Sequence, residues 1–167
     1  HRRENWGLNL ESICDGLKRV VKKNKNVCLI LPMHKNKLVR EPLKKYLGDL
    51  SQVYLLEPLD YKSLLSVMKN CFCIVSDSGG IQEEAPSFKK PILILREKTE
   101  RNEIIESGKG ILIGTNADNI FNFVEKLLND KDFYKSMTVG KNPFGDGESS
   151  NRILNICLKR LGLKDID

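Results

Sequence analysis

The segment from Cys71 to Phe88 constrains this chain more than any other. Cys71-Phe72-Cys73-Ile74-Val75 is a short apolar run rich in β-formers, and it predicts a buried strand over 72–75. The run stops at Ser76-Asp77-Ser78-Gly79-Gly80. Beyond it, Ile81, Ala85 and Phe88 recur at i, i+4 and i+7, one apolar face of a helix. A strand, a tight turn and a helix start in that order leave main-chain N–H groups without intrahelical partners, and the helix dipole adds partial positive charge. Such a place accepts phosphate. Gly79 and Gly80 have no Cβ, so a ligand can approach their backbone. Glu84 lies about one turn further on, on the side of Gly80, where a carboxylate can accept hydrogen bonds from a vicinal diol such as a ribose. The plainer alternative is an ordinary turn, with Ser78 as N-cap and Glu83 and Glu84 solvated.

The rest of the chain alternates strands and helices. Leu10, Ile13, Cys14, Leu17 and Val21 mark a helix to about residue 24. Val27 to Leu31 is a continuous apolar strand, as in a sheet covered on both faces. A helix over about 38–47 stops at Gly48, a natural C′ residue. A strand follows at 53–56, then a helix capped by Asp60. Strands are predicted at 91–95 and 110–113, and helices near 117–129, 130–139 and 148–161. The alternation predicts an α/β fold, a Rossmann-like parallel sheet with helices on both faces. Ligands of such sheets bind beyond the carboxyl ends of the strands. The loops at 32–37, 57–60, 76–80 and 96–101 leave those ends. His34, Ser78, Gly79, Gly80 and Arg101 are therefore expected around one crevice.

Other candidates are weaker. Arg101 offers a planar fork that matches phosphate, whereas Arg96 reads as an exposed surface charge. Glu100 either orients Arg101 or is solvated. Asp77 reads as a structural acceptor for the turn. The glycines at 108, 110 and 114 precede or follow a strand, which fits neither a dinucleotide fingerprint nor a P-loop.

With 28 basic and 22 acidic residues the net charge is +6, and much of the excess lies in Lys18-Arg19 and Lys22-Lys23-Asn24-Lys25. That run sits at a predicted helix end, where cations complement the dipole, and it lacks the interleaved aromatics of a nucleic-acid surface. A modest positive field suits an anionic nucleotide-sugar. The five cysteines are odd in number, and no spacing builds a zinc site. They read as reduced core residues of a cytoplasmic protein. No apolar run is long enough to span a membrane, and no metal or other cofactor is expected. At 167 residues the chain is one domain or one half of a larger enzyme.

Four strings carry a resemblance. Asp77-Ser78-Gly79-Gly80-Ile81-Gln82-Glu83-Glu84-Ala85-Pro86 closely resembles the signature of the non-hydrolysing UDP-N-acetylglucosamine 2-epimerases. So do His1-Arg2-Arg3-Glu4-Asn5, Thr99-Glu100-Arg101 and Asn142-Pro143-Phe144-Gly145-Asp146-Gly147, in the family's order. The resemblance implies one half of a GT-B-type two-domain enzyme. Residues 1–167 would be its carboxy-terminal, UDP-binding domain, with the amino-terminal domain outside this chain. It implies UDP contacts from Ser78, Gly79, Gly80, Glu84 and Arg101, a catalytic His1 near the phosphates, and a regulatory second UDP-GlcNAc site at Arg2 and His34. The family's usual Asn-Pro after that histidine is replaced here by Asn36-Lys37. It further implies a homodimeric full-length enzyme that serves cell-surface polysaccharide synthesis. The rival from another class is the donor-binding half of a GT-B glycosyltransferase, which shares the fold and a similar glycine turn.

Overall fold

The computed structural model describes residues 1–163. Helix α1 (Leu8–Lys23) leads into strand β1 (Leu29–Pro32), α2 (Lys37–Leu47), β2 (Val53–Leu56) and α3 (Tyr61–Asn70). Then come β3 (Ile74–Ser76), α4 (Gly79–Glu84), β4 (Ile92–Ile94), α5 (Asn102–Glu106) and β5 (Gly110–Leu112). Helices α6 (Ala117–Asn129), α7 (Lys131–Thr138) and α8 (Ser149–Arg160) close the chain. Turns of 3-10 helix at Arg3–Asn5 and Ala85–Phe88 flank α1 and extend α4. Asp60 caps α3 as expected, accepting from the Ser63 N–H at 3.0 Å. Asn36, Asn116 and Asp130 cap α2, α6 and α7 in the same way.

Among the described residues all pairing is parallel, as the alternation predicts, but it falls into two ladders. β1 pairs with β2, and β3–β4–β5 form the second ladder with Ile74 opposite Ile92 and Ile92 opposite Gly110. The ladders share one core. Leu29 of β1 and Val75 of β3 both pack against the cluster of Leu93, Leu95 and Ile113 with Ile13, Leu17, Ile120 and Val124. The period of two in β4 explains the two-sided cover. Leu93 and Leu95 face α1 and α6; Ile92 and Ile94 face the other way, onto Met68 of α3 and Ile104 of α5.

Two expectations are corrected here. β1 is covered on one face only: Ile30 and its ladder partner Tyr54 are both exposed. A continuous apolar run cannot tell a two-sided strand from a one-sided one. Gly48 has a right-handed helical backbone (φ −64°), so it is no left-handed C′ residue. Its missing Cβ is needed for space, because one built there would lie 2.5 Å from the Lys44 carbonyl oxygen.

Helix α8 packs on almost nothing. None of its residues is buried, and Ile153, Leu154 and Ile156 lie exposed, with Leu161 just beyond them. Its start is nonetheless fixed, because Asp146 accepts from the Glu148 N–H at 3.1 Å and binds the Arg152 guanidinium through both oxygens. The Asn142–Gly147 segment is anchored too. Asn142 Nδ2 donates to Ser87 Oγ at 2.8 Å, and Phe144 packs against the cluster around Met68 and Ile104.

Among the described residues, no helix is long and apolar enough to cross a membrane, and no three His, Cys, Asp or Glu side chains converge as metal ligands. All five cysteines are free. Cys14 is buried as a core residue, but Cys28 and Cys157 are exposed, contrary to the core reading. Burial pushes the Cys14 thiol up to about 12, and Glu11 adds to the shift.

Candidate functional site

The turn after β3 is built as the sequence suggests. Ser76 ends the strand, and its hydroxyl accepts the Ser78 N–H at 3.1 Å. Ser78 takes an extended backbone as N-cap of α4, yet its side chain caps nothing. The plain capped-turn alternative therefore loses its distinguishing bond. The helix start keeps its amides free of a side-chain acceptor and its partial positive charge.

The two glycines do different jobs. A Cβ on Gly80 would meet nothing within 4 Å. A Cβ on Gly79 would lie 2.7 Å from Arg101 Cζ and 2.9 Å from both terminal nitrogens. The space on the Cβ side of Gly79 is thus taken by the chain's own guanidinium. Arg101 Nε donates to Glu83 at 2.9 Å, and Nη1 pairs with Glu100.

Asp77 is 7% exposed and serves as an acceptor, but for a distant segment instead of its own turn. Its Oδ2 takes the His1 main-chain nitrogen at 2.7 Å, the Arg2 N–H at 2.9 Å and the Asn5 amide at 3.0 Å. Burial pushes this carboxyl up, but those bonds outweigh it and hold it below the ordinary aspartate value. Asn5, 4% exposed, also donates to the Leu95 carbonyl at 3.2 Å. Residues 1–5 are thereby strapped across the carboxyl ends of β3 and β4.

That strap makes one wall of an open cleft of about 550 Å³. His1, Arg2 and Trp6 line it on one side, His34 and Asn36 of the loop after β1 on another, and Ser78 with Gly79 at the end of β3. The His1 and His34 rings stack with centroids 5.2 Å apart. His34 Nδ1 accepts the Asn36 N–H at 3.2 Å, which leaves Nε2 to carry the proton of the neutral ring. The structure thus brings His1, Arg2, His34, Ser78 and Gly79 into one cleft. It does not bring Gly80, Glu84 or Arg101 to that lining. Glu84 lies further along, with Oε1 3.5 Å from the Tyr61 hydroxyl and Oε2 shut from solvent without a hydrogen-bond partner. Arg101 stands behind Gly79 with a quarter of its side chain exposed.

Arg96 departs most from expectation. Its side chain is 12% exposed, so it is no surface charge. It pairs with Glu100 at 2.9 Å and with Glu4 at 3.4 Å. Glu100 is not simply solvated either, since its carboxylate meets Arg96, Arg101 and, at 3.9 Å, Arg2. Sequence reasoning passed over Gln82 and Tyr61. Gln82 is fully buried, and its place four residues past Ser78 and three before the apolar Ala85 is the signal that could have found it. Nothing in the sequence marks Tyr61.

The fold and this cleft define a Rossmann-like α/β domain with an uncapped helix start at the carboxyl ends of its strands. The chain belongs to the UDP-N-acetylglucosamine 2-epimerase family, which matches residues 1–158. It is 43% identical over 159 residues to a UDP-N-acetylglucosamine 2-epimerase of Campylobacter jejuni, covering 95% of this chain and 42% of that protein. The Bacillus subtilis enzyme of the same name is 42% identical, covering 98% of this chain and 43% of its own length. Among solved structures, that of S. aureus MnaA with UDP superposes with a TM-score of 0.93 at 42% identity, over 100% of this chain and 46% of that one. A UDP-GlcNAc 2-epimerase from Neisseria meningitidis bound to UDP-GlcNAc gives 0.91 at 38% identity, over 95% and 43%. The chain spans less than half the length of these relatives.

Proposed function

We propose that this chain is the carboxy-terminal, UDP-binding half of a GT-B-type epimerase that interconverts UDP-GlcNAc and UDP-ManNAc. One observation carries the reading. An uncapped helix start, open at Gly80, lies one turn from the Glu84 carboxylate, whose Oε1 has only the Tyr61 hydroxyl at 3.5 Å. Pyrophosphate suits the first and a ribose diol the second. Ser78, Gly79 and Gly80 hold the phosphates, Glu84 holds the ribose and His1 reaches the reacting end. Arg101 serves the nucleotide from behind Gly79. Arg2 and His34, on the same cleft, hold a regulatory UDP-GlcNAc. The relatives solved with UDP and with UDP-GlcNAc support the choice of ligand.

The reaction removes the C2 proton and eliminates UDP, returns a proton to the other face of C2 and adds UDP back to C1. It needs an acid/base group at C2 and stabilisation of the leaving pyrophosphate. This chain supplies the second, and the acid/base carboxylates come from the other half. The bare apolar face of α8 supports a two-part enzyme, since burying it against the remaining domain would stabilise both. The full-length enzyme is a cytoplasmic homodimer that serves cell-surface polysaccharide synthesis.

The test compares this chain with the full-length protein, given UDP-GlcNAc and no acceptor. The full-length protein forms UDP-ManNAc; the chain alone binds UDP and turns nothing over. Turnover by the chain alone refutes the division of labour. No product from the full-length protein without an acceptor favours a glycosyltransferase. Cys157, exposed on α8, is labelled by a maleimide in this chain and protected in the full-length protein.

A further inference from the structure

Gln82 is 0% exposed, and both ends of its amide are engaged. Nε2 donates to the Ser78 carbonyl at 3.3 Å, and Oε1 accepts from the Thr99 hydroxyl at 2.6 Å. Thr99 Oγ1 in turn accepts the Arg101 main-chain N–H at 3.2 Å. The direction of this relay is self-consistent. The Thr99 oxygen takes an N–H from Arg101, so its own proton goes to Gln82 Oε1, and Nε2 is left to donate. The relay ties the turn after β3 to the loop after β4, beyond the last main-chain bond between them, Leu95 N–H to the Ser76 carbonyl at 3.0 Å. At its far end the Arg101 guanidinium fills the space beside the Gly79 α-carbon, clamped by Glu83 and Glu100.

We propose that Gln82 is a positioning residue. Through Thr99 it places the Arg101 guanidinium against Gly79, and so fixes the backbone of the Ser78–Gly80 turn in the form that receives phosphate. Arg101 then acts as a buttress of the seat without lining it. This inference rests on the nucleotide reading above for its ligand, but not for its geometry.

Three variants test it: Gln82→Leu breaks the relay at its buried centre, Thr99→Val breaks it at a part-buried side chain, and Thr99→Ser restores the hydroxyl. The first readout is the Arg101 Nε–H nuclear magnetic resonance signal of the ligand-free chain, which a carboxylate-clamped guanidinium keeps in slow exchange with water. The second is the affinity for UDP. Gln82→Leu and Thr99→Val are expected to broaden the Arg101 signal and weaken UDP about fivefold, the loss of one net hydrogen bond. Thr99→Ser is expected to recover both. In an Arg101→Ala background, Thr99→Val costs nothing further, because the two act as one unit. An unchanged Arg101 signal in Thr99→Val, or a full additional loss on top of Arg101→Ala, overturns the proposal. Should Gln82→Leu fail to fold, Thr99→Val decides. If the wild-type chain does not bind UDP while the Arg101 signal still follows Thr99, the relay stands and the nucleotide reading falls.

Discussion

Replacing Glu84 by alanine should move stability and ligand affinity in opposite directions. In the ligand-free chain, Glu84 Oε2 is an acceptor cut off from water and from every donor, and Oε1 has only the Tyr61 hydroxyl at 3.5 Å. A buried polar group left without a partner costs about 1–3 kcal/mol. The Glu84 side chain as a whole is only half-buried, so the low end applies, about 1 kcal/mol. Removing it should leave the thermal midpoint unchanged or raise it by about 2–4 °C for a chain of this size. On the proposed reading, bound UDP is held by the same carboxylate through Oε1, which accepts hydrogen bonds from the ribose hydroxyls. Bonds to a charged group are worth about 1.5–3 kcal/mol each, and part of this is offset by the water they displace. A net loss of about 1–3 kcal/mol lowers the affinity by roughly fivefold to a hundredfold or more. Thermal unfolding with and without saturating UDP reads both effects in one experiment. The wild type starts lower and gains from the nucleotide; Glu84→Ala starts level or higher and gains much less. Equal affinities, or a ligand-free midpoint that falls as far as the affinity, would refute the assignment of Glu84 as the ribose acceptor.

Two more outcomes follow from the same turn. Gly79→Ala pushes a methyl group into the Arg101 guanidinium, which is the free end of a flexible side chain; stability should fall by less than about 1 kcal/mol while UDP affinity drops, and the Arg101→Ala background should relieve the clash. Gly80→Ala meets open space at a helix start, so calorimetry should find the chain unchanged or more stable by about 0.5–1 kcal/mol, with UDP excluded by the added methyl. Asp77 makes the strap over residues 1–5 sensitive to pH. Its carboxyl sits below the ordinary value, so its stabilisation is complete above about pH 4 and is lost as pH falls through the folded-state value. Trp6, the one tryptophan, donates to the His1 carbonyl at 3.0 Å and should report release of the strap as an acid step in fluorescence. In Asp77→Asn that step should vanish and the neutral-pH signal should already be that of the loosened form.

Much of the fold was legible because local rules decide it. The run at 53–56, the apolar spacing of 117–129 and the Asp60 cap need only their own neighbourhoods, and each element stands where its residues place it. The candidate site was legible in part. The strand–Gly–Gly–helix order brought Ser78 and Gly79 to the carboxyl end of β3, and the loop after β1 brought His34 to the same cleft. Arg96 was misjudged, and Glu100 left open between pairing with Arg101 and solvation, because a charge is exposed or paired by what lies across space, and the partners Glu4 and Arg2 come from another segment. Tyr61 beside Glu84 and the buried relay through Gln82 were missed for the same reason.

The sequence by itself determined the alternation of elements, the parallel pairing and the place of the helix start after β3, since these depend on side-chain period and turn chemistry within a few residues. Only the tertiary structure decided which strands share a ladder, that one face of β1 stays bare, and that Asp77 anchors residues 1–5. It also decided that the space at Gly79 belongs to Arg101. Those outcomes depend on which distant groups meet, and contacts across tens of residues leave no periodic trace in the chain that makes them.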